Sequence, residues 1–152
     1  GPSGPTGPTG PTGITAFASV NNSSNQEVFL PAGGVYNPIL DSTIAANNVL
    51  TSPTSVTIQL PGLYRVGYNA SLSISNNPSF VQMFVTLNGS SIPSTLSAAN
   101  TQPSQVTNFG DSILICLPAG SQLRLSATTS SQGNIFIPAN GATLEVVRIG
   151  DC

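Results

Sequence analysis

Glycine stands at positions 1, 4, 7, 10 and 13, with proline after each of the first four and Ser or Thr closing each triplet. A strict three-residue glycine period belongs to three wound polyproline-II strands, because only glycine fits at their crowded axis. The run is therefore a statement about stoichiometry. Whatever follows it must be able to sit in a trimer. Five triplets are too short to hold as a rod alone, and Gly1 opens the run in full register, which reads as the end of a longer collagen-like region. We divide the chain into residues 1–15, the end of that region, and residues 16–152, a folded head.

The head is long enough for one domain with its own core. It is nearly uncharged. Glu27, Asp41, Asp111, Glu145 and Asp151 face only Arg65, Arg124 and Arg148, and Lys, His and Trp are absent from the sequence. So few cations exclude nucleic acid, which needs many Lys and Arg to displace counterions, and exclude an anionic membrane surface. No apolar run approaches the ~18 residues of a membrane span. Solubility must rest on hydroxyls and amides, or on sugars attached to them.

Apolar and small polar residues alternate in short runs, broken by Pro, Gly and Asn, with no sustained helical period. Such a pattern predicts an all-β sandwich. Strands are expected over Ala16–Val20, Val28–Leu30, Ser55–Leu60, Leu63–Ser75, Phe80–Leu87, Gln105–Leu117, Gln122–Ala127, Asn134–Ile137 and Ala142–Ile149, with a weaker segment at Ser90–Ala98. Val35–Thr51 is ambiguous, because Pro38 and Asn47-Asn48 interrupt it. About ten strands suit a two-sheet jelly roll. In Leu63–Ser75 the even positions Tyr64, Val66, Tyr68, Ala70, Leu72 and Ile74 form the face to be buried. Phe80–Leu87 carries Phe80 and Phe84 on one side and Val81, Met83 and Val85 on the other. Two apolar faces call for a second dry surface, which a trimer axis would supply. Tyr64, Val66, Tyr68, Phe80, Phe84 and Val85 are therefore read as core and trimer packing, in preference to an aromatic ligand site.

Pro61-Gly62-Leu63-Tyr64-Arg65-Val66-Gly67-Tyr68 resembles the Gly-x-Tyr-x-Phe-x-Tyr strand of C1q and tumour-necrosis-factor-like jelly rolls, with Val66 where Phe is usual. Ala16-Phe17 after a collagen run is similar to the first strand of C1q heads. Leu117-Pro118-Ala119-Gly120-Ser121-Gln122-Leu123-Arg124-Leu125 resembles the family's turn-and-strand segment, with Ser121 in place of the usual Asp, and Ala142–Ile149 reads as the closing strand. The Gly-Pro-Thr triplets with a Lys-free, Ser/Thr/Asn-rich head are similar to the collagen-like exosporium glycoproteins of Bacillus spores, the BclA type. That resemblance implies a homotrimeric head on a filament at the spore surface. The head would fold first and set the three stalks in register. Thr6, Thr9 and Thr12 would be sites of O-linked sugar, and a further N-terminal segment would meet proteins of the exosporium basal layer. Two alternatives keep the trimer and change its role. One is an adhesin head for a host receptor or glycan, and the other is the tip of a phage tail fibre.

Nothing points to an enzyme. Without His, neither Ser-His-Asp nor Cys-His chemistry is available. Pro31–Gly34 lacks the Lys and following helix of a phosphate loop. Asp41 and Asp111 stand alone, whereas Ca²⁺ wants six to eight oxygens. No cofactor and no metal are expected. Glu145 and Arg148, three apart on a strand, point to opposite faces, and Arg65 stands out on a polar face, with Glu145 or Asp111 of a neighbouring chain as its conceivable partner. The Asn-x-Ser matches at Asn22, Asn69 and Asn88 are expected by chance in a chain this rich in Asn and Ser. Cys116, within Ile-Leu-Ile-Cys-Leu, reads as a buried thiol. The terminal Cys152 reads as exposed, either free or in an interchain disulfide.

Overall fold

The computed structural model describes Gly4, residues 15–75 and residues 77–152. The O-glycosylation candidates Thr6, Thr9 and Thr12 lie outside the described residues. The strands are β1 (Phe17–Asn21), β2 (Gln26–Leu30), β3 (Val35–Tyr36), β4 (Ser42–Asn47), β5 (Val49–Thr51), β6 (Val56–Ile58), β7 (Gly62–Ile74), β8 (Ser79–Leu87), β9 (Ser90–Ser91), β10 (Ser97–Thr101), β11 (Thr107–Leu117), β12 (Gln122–Thr129), β13 (Gly133–Ile137) and β14 (Ala142–Gly150). Pro93–Thr95 adds a single 3₁₀ turn. Four of the fourteen strands have two or three residues; the expected strand Ser55–Leu60 is one of these, β6, and the weaker segment Ser90–Ala98 divides into β9, the 3₁₀ turn and the start of β10. The ambiguous stretch Val35–Thr51 holds three of the fourteen: β3, β4 and β5.

Two antiparallel sheets face each other. The first runs β2-β13-β7-β14-β1-β4, with β11 along the other edge of β7. The second runs β10-β8-β12-β6-β5, with β3 on β12 and β9 on β8. The long strand β7 organises the first sheet, pairing with β11 over Gly62–Leu72 and with β14 over Leu63–Ala70. Its even residues are buried throughout, from Tyr64 at 0% exposure to Ile74 at 5%. They pack toward Val81, Met83 and Val85 of β8 and Leu123, Leu125 and Ala127 of β12 in one core. Each fully buried aliphatic side chain contributes about 1.5–3 kcal/mol. Between β8 and β9, Asn88 and Gly89 both take positive φ, 51° and 87°, as the tight hairpin turn signalled by Asn-Gly requires.

Two expectations need correction. Cys116 is exposed and is bonded to Cys152 of the same chain, with the Cα atoms 5.9 Å apart. Strand alternation explains the exposure: Ile113 and Ile115 lean toward the core, so Leu114 and Cys116 turn outward. Register explains the pairing. Cys116 on β11 and Gly150 on β14 both lie opposite Leu63 of β7, so a tail two residues longer reaches across that strand. Cys152 is thus engaged within its own chain, neither free nor in an interchain link. Phe80 and Phe84, read as core or trimer packing, lie off the core of the single chain. They share the outward face of β8, Phe80 being 41% exposed and Phe84 half-buried opposite Ser126. Tyr64, Val66, Tyr68 and Val85 are core residues within the single chain.

Candidate functional site

The outward face of the first sheet is built from the odd positions of β7, which sequence alternation marks as its polar side, and from the odd positions of β14. In the middle of this face Arg65, Asp111 and Glu145 line a hollow of about 450 Å³, with Asn69, Ser112 and Thr143 around them. Gly67 forms its floor. It lies between Ser112 of β11 and Glu145 of β14, and a Cβ there would press to 3.2 Å from the Ser112 Cβ. Its missing side chain is what keeps the hollow open. Toward β1, where the chain enters the fold, the face turns apolar. Phe17, Ala18, Ser19, Glu145 and Val147 line a second, shallower hollow of about 330 Å³. Leu114 is 61% exposed and Ile149 is 52% exposed on the flanking strands.

The core side of the same strands is anchored by Tyr68. Its hydroxyl donates to the Met83 carbonyl at 2.9 Å and the Thr95 carbonyl at 2.6 Å, tying β7 to β8 and the 3₁₀ turn. Burial, with a smaller push from the Asp111 charge, raises its pKa to about 12. The Thr95 hydroxyl in turn accepts from the Val85 N–H at 2.8 Å.

The point where the chain enters the head is clamped. The Thr15 carbonyl accepts from the Asn47 amide at 3.1 Å and from the Asn48 amide at 2.8 Å. The Ala16 carbonyl accepts from the Arg148 N–H. The Arg148 guanidinium donates from Nε to the Pro61 carbonyl at 3.0 Å and pairs through Nη2 with Asp151 at 2.6 Å. Its path over Gly62 explains that glycine, since any Cβ there would run into the guanidinium. One residue beyond Asp151, the Cys152 bond fixes the tail to β11. Sequence reasoning weighs Glu145 for Arg148 and misses Asp151. The register shift between Arg148 and Gly150 ends strict alternation there and lets the two meet.

The other flagged residues are structural. Asn22 is fully buried, donates its amide to the Ser24 and Pro138 carbonyls and accepts from the Ala142 N–H, so its Asn-x-Ser match is closed. Asp41 accepts both the N–H and the hydroxyl of Ser23, which hold its carboxyl below the usual range. Among the described residues no three His, Cys, Asp or Glu side chains gather as a metal site, and no helix is long and apolar enough to cross a membrane.

No protein-family model matches this sequence, and no curated protein matches it. Solved structures do. The Eiger TNF of S. frugiperda superposes with a TM-score of 0.64 at 12% identity, over 91% of this chain and 95% of that one. Murine APRIL at pH 5.0 gives 0.67 at 8% identity, over 88% and 98%. The globular domain of zebrafish complement 1qA gives 0.61 at 12%, over 90% and 99%. The fold is a C1q/TNF-like jelly roll. The glycine-strand motif at Gly62–Tyr68 points to the same architecture, and it sits on β7, the strand that organises the first sheet.

Proposed function

We propose that this chain is the trimerising C-terminal head of a collagen-like filament on the surface of a bacterial spore. One observation carries the reading: a glycine-every-third-residue run leads directly into Thr15–Ala16, and that entry point is clamped to the end of a C1q/TNF-like sheet. The repeat calls for three chains, and the sheet beside it offers an exposed face with Leu114 and Ile149 uncovered in the single chain. Three repetitive chains have many wrong registers. A folded trimer removes that search by holding the three stalk starts together at high local concentration. The Gly-Pro-Thr triplets and the Lys-free surface support the exosporium setting. Thr6, Thr9 and Thr12 are the proposed sugar-bearing positions, and the role is structural, with no catalysis. Light scattering at micromolar concentration tests the assembly. Three times 15.4 kDa, about 46 kDa, is expected with and without reductant, because the disulfide lies within one chain. A mass of one chain would overturn the reading.

A receptor- or glycan-binding head is favoured by one feature. Phe80, partly exposed, shares a hollow of about 320 Å³ with Asn100, Gln102 and Ser130, an aromatic surface edged by amides and a hydroxyl. A glycan array with wild type and Phe80→Ala would separate this activity from the purely structural role.

A further inference from the structure

In a sequence with eight charged residues, three sit in the central hollow of the first sheet without an ion pair. Among the described residues the one salt bridge is Arg148–Asp151, and Arg65 and Glu145 make no side-chain hydrogen bond either. They share the outward face. Arg65 lies opposite Val147 on β14, two residues from Glu145, and opposite Leu114 on β11. Diagonal neighbours of this kind are about 7–8 Å apart at Cα, and they stay apart in the single chain. Asp111 differs. It lies opposite the inward-facing Tyr68, and its Oδ1 already accepts the Ser112 N–H at 2.8 Å.

One row of cross-strand partners, Leu114, Arg65, Val147 and Phe17, crosses this face from β11 to β1, with an apolar group at each end. Leu114 protrudes beside Arg65 on the β11–β7 side. Phe17 and Val147 form the apolar hollow beside Glu145 on the β14–β1 side. One side thus carries an apolar knob with a cation, and the other an apolar socket with an anion. A surface bearing both halves of a match fits another copy of itself head to tail, and such heterologous contacts make a ring when the rotation between copies closes.

We propose that Leu114 and Arg65 of one copy seat against the Phe17–Val147 hollow and Glu145 of the next, three times around the trimer. This rests on the trimeric reading above and adds to it the residues that specify the contact. The occupant is a second copy of this chain because the charge and the shape it must present are those this same face carries. The apolar contact excludes water, and the ion pair fixes the direction of packing, since two cations or two anions brought together there would repel.

The decisive experiment is a dilution series followed by light scattering on wild type, Arg65→Glu, Glu145→Arg and the double charge swap. All of these positions are on the surface of the single chain, so circular dichroism should show the same β fold in each. Each single swap should raise the concentration for half-dissociation by roughly a hundredfold, and the double swap should return it to within about tenfold of wild type. Leu114→Asp should dissociate the trimer without rescue by either swap. Should a charge reversal unfold the chain, Arg65→Gln and Glu145→Gln provide the same comparison. Singles that assemble like wild type, or a double swap without rescue, overturn the pairing while leaving the trimer intact. Rescue of Arg65→Glu by Asp111→Arg overturns it in favour of Asp111. A monomeric wild type overturns the trimeric reading itself.

Discussion

Tyr68 shows how one hydroxyl joins packing, electrostatics and stability. Its ring is buried and its O–H is shared by two carbonyls on other elements. The folded state therefore holds the phenol proton more tightly than the unfolded chain, with a pKa of about 12 against an ordinary 10.0. A raised pKa contributes stability that is complete below pH 10 and is lost as pH rises through 12, a loss of roughly 2–3 kcal/mol. Tyr36 and Tyr64 are shifted in the same direction, so Tyr68→Phe should shrink the alkaline slope without abolishing it. At pH 8 the same variant should cost about 1–3 kcal/mol, from two carbonyls deprived of a donor. Urea unfolding at pH 8 and pH 11 measures both effects, and an alkaline slope equal to wild type would refute the assignment. Val85→Asp is the harsher change. It buries an unpaired carboxylate at a fully buried position and should leave the head unfolded by circular dichroism.

At the scale of the element, the closing strand β14 and its tail act as a fastener where the chain enters the fold at Thr15–Ala16. Arg148 touches Ala16, Pro61 and Asp151, and the Cys116–Cys152 bond holds the segment that carries Asp151. The exposed ion pair is worth at most about 1 kcal/mol. The disulfide contributes more, because its loop spans 36 residues and the chain-entropy model gives about 3–4 kcal/mol for such a closure. Cys152→Ser should lower stability by that order, and hydrogen exchange should quicken first at the Arg148 and Gly150 amides. Unchanged exchange there would mean that the tail does not support the strand. The strands themselves were legible, because apolar runs bounded by Pro, Gly and Asn turns mark β7, β8, β11 and β14, and in β7 a strict alternation names the buried face. The fastener was not. Whether Cys116 meets Cys152 depends on both lying across Leu63, a register between strands that no local pattern encodes. The outward turn of Cys116 could have been read from its alternation with Ile115, but the apolar neighbourhood Ile-Leu-Ile-Cys-Leu masked it. For the charged hollow, the sequence offered Arg65 and two possible acids. Choosing between them required knowing that Glu145 shares its face and that Asp111 is opposite Tyr68.

At the scale of the whole molecule, the proposed ring of three copies imposes a parity that one mixing experiment can read. Each contact joins position 65 of one copy to position 145 of the next. Arg65→Glu carries two acids at these places and Glu145→Arg carries two cations, so each variant repels itself and complements the other. In a ring with an even number of members the two variants could alternate, and every contact would be matched. Three members cannot alternate. An equimolar mixture must keep at least one like-charge contact in each ring, with at most two matched. Its half-dissociation concentration should therefore fall between that of either single variant and that of the double swap, and it should not reach wild type at any mixing ratio. Full recovery in the mixture would mean an even-membered assembly, and with it the loss of the geometric link between the head and the three-stranded stalk. No recovery at all would mean that positions 65 and 145 do not meet across copies. The intermediate result is specific to an odd-membered, head-to-tail ring, and three is the odd number that fits the glycine period at residues 1–15.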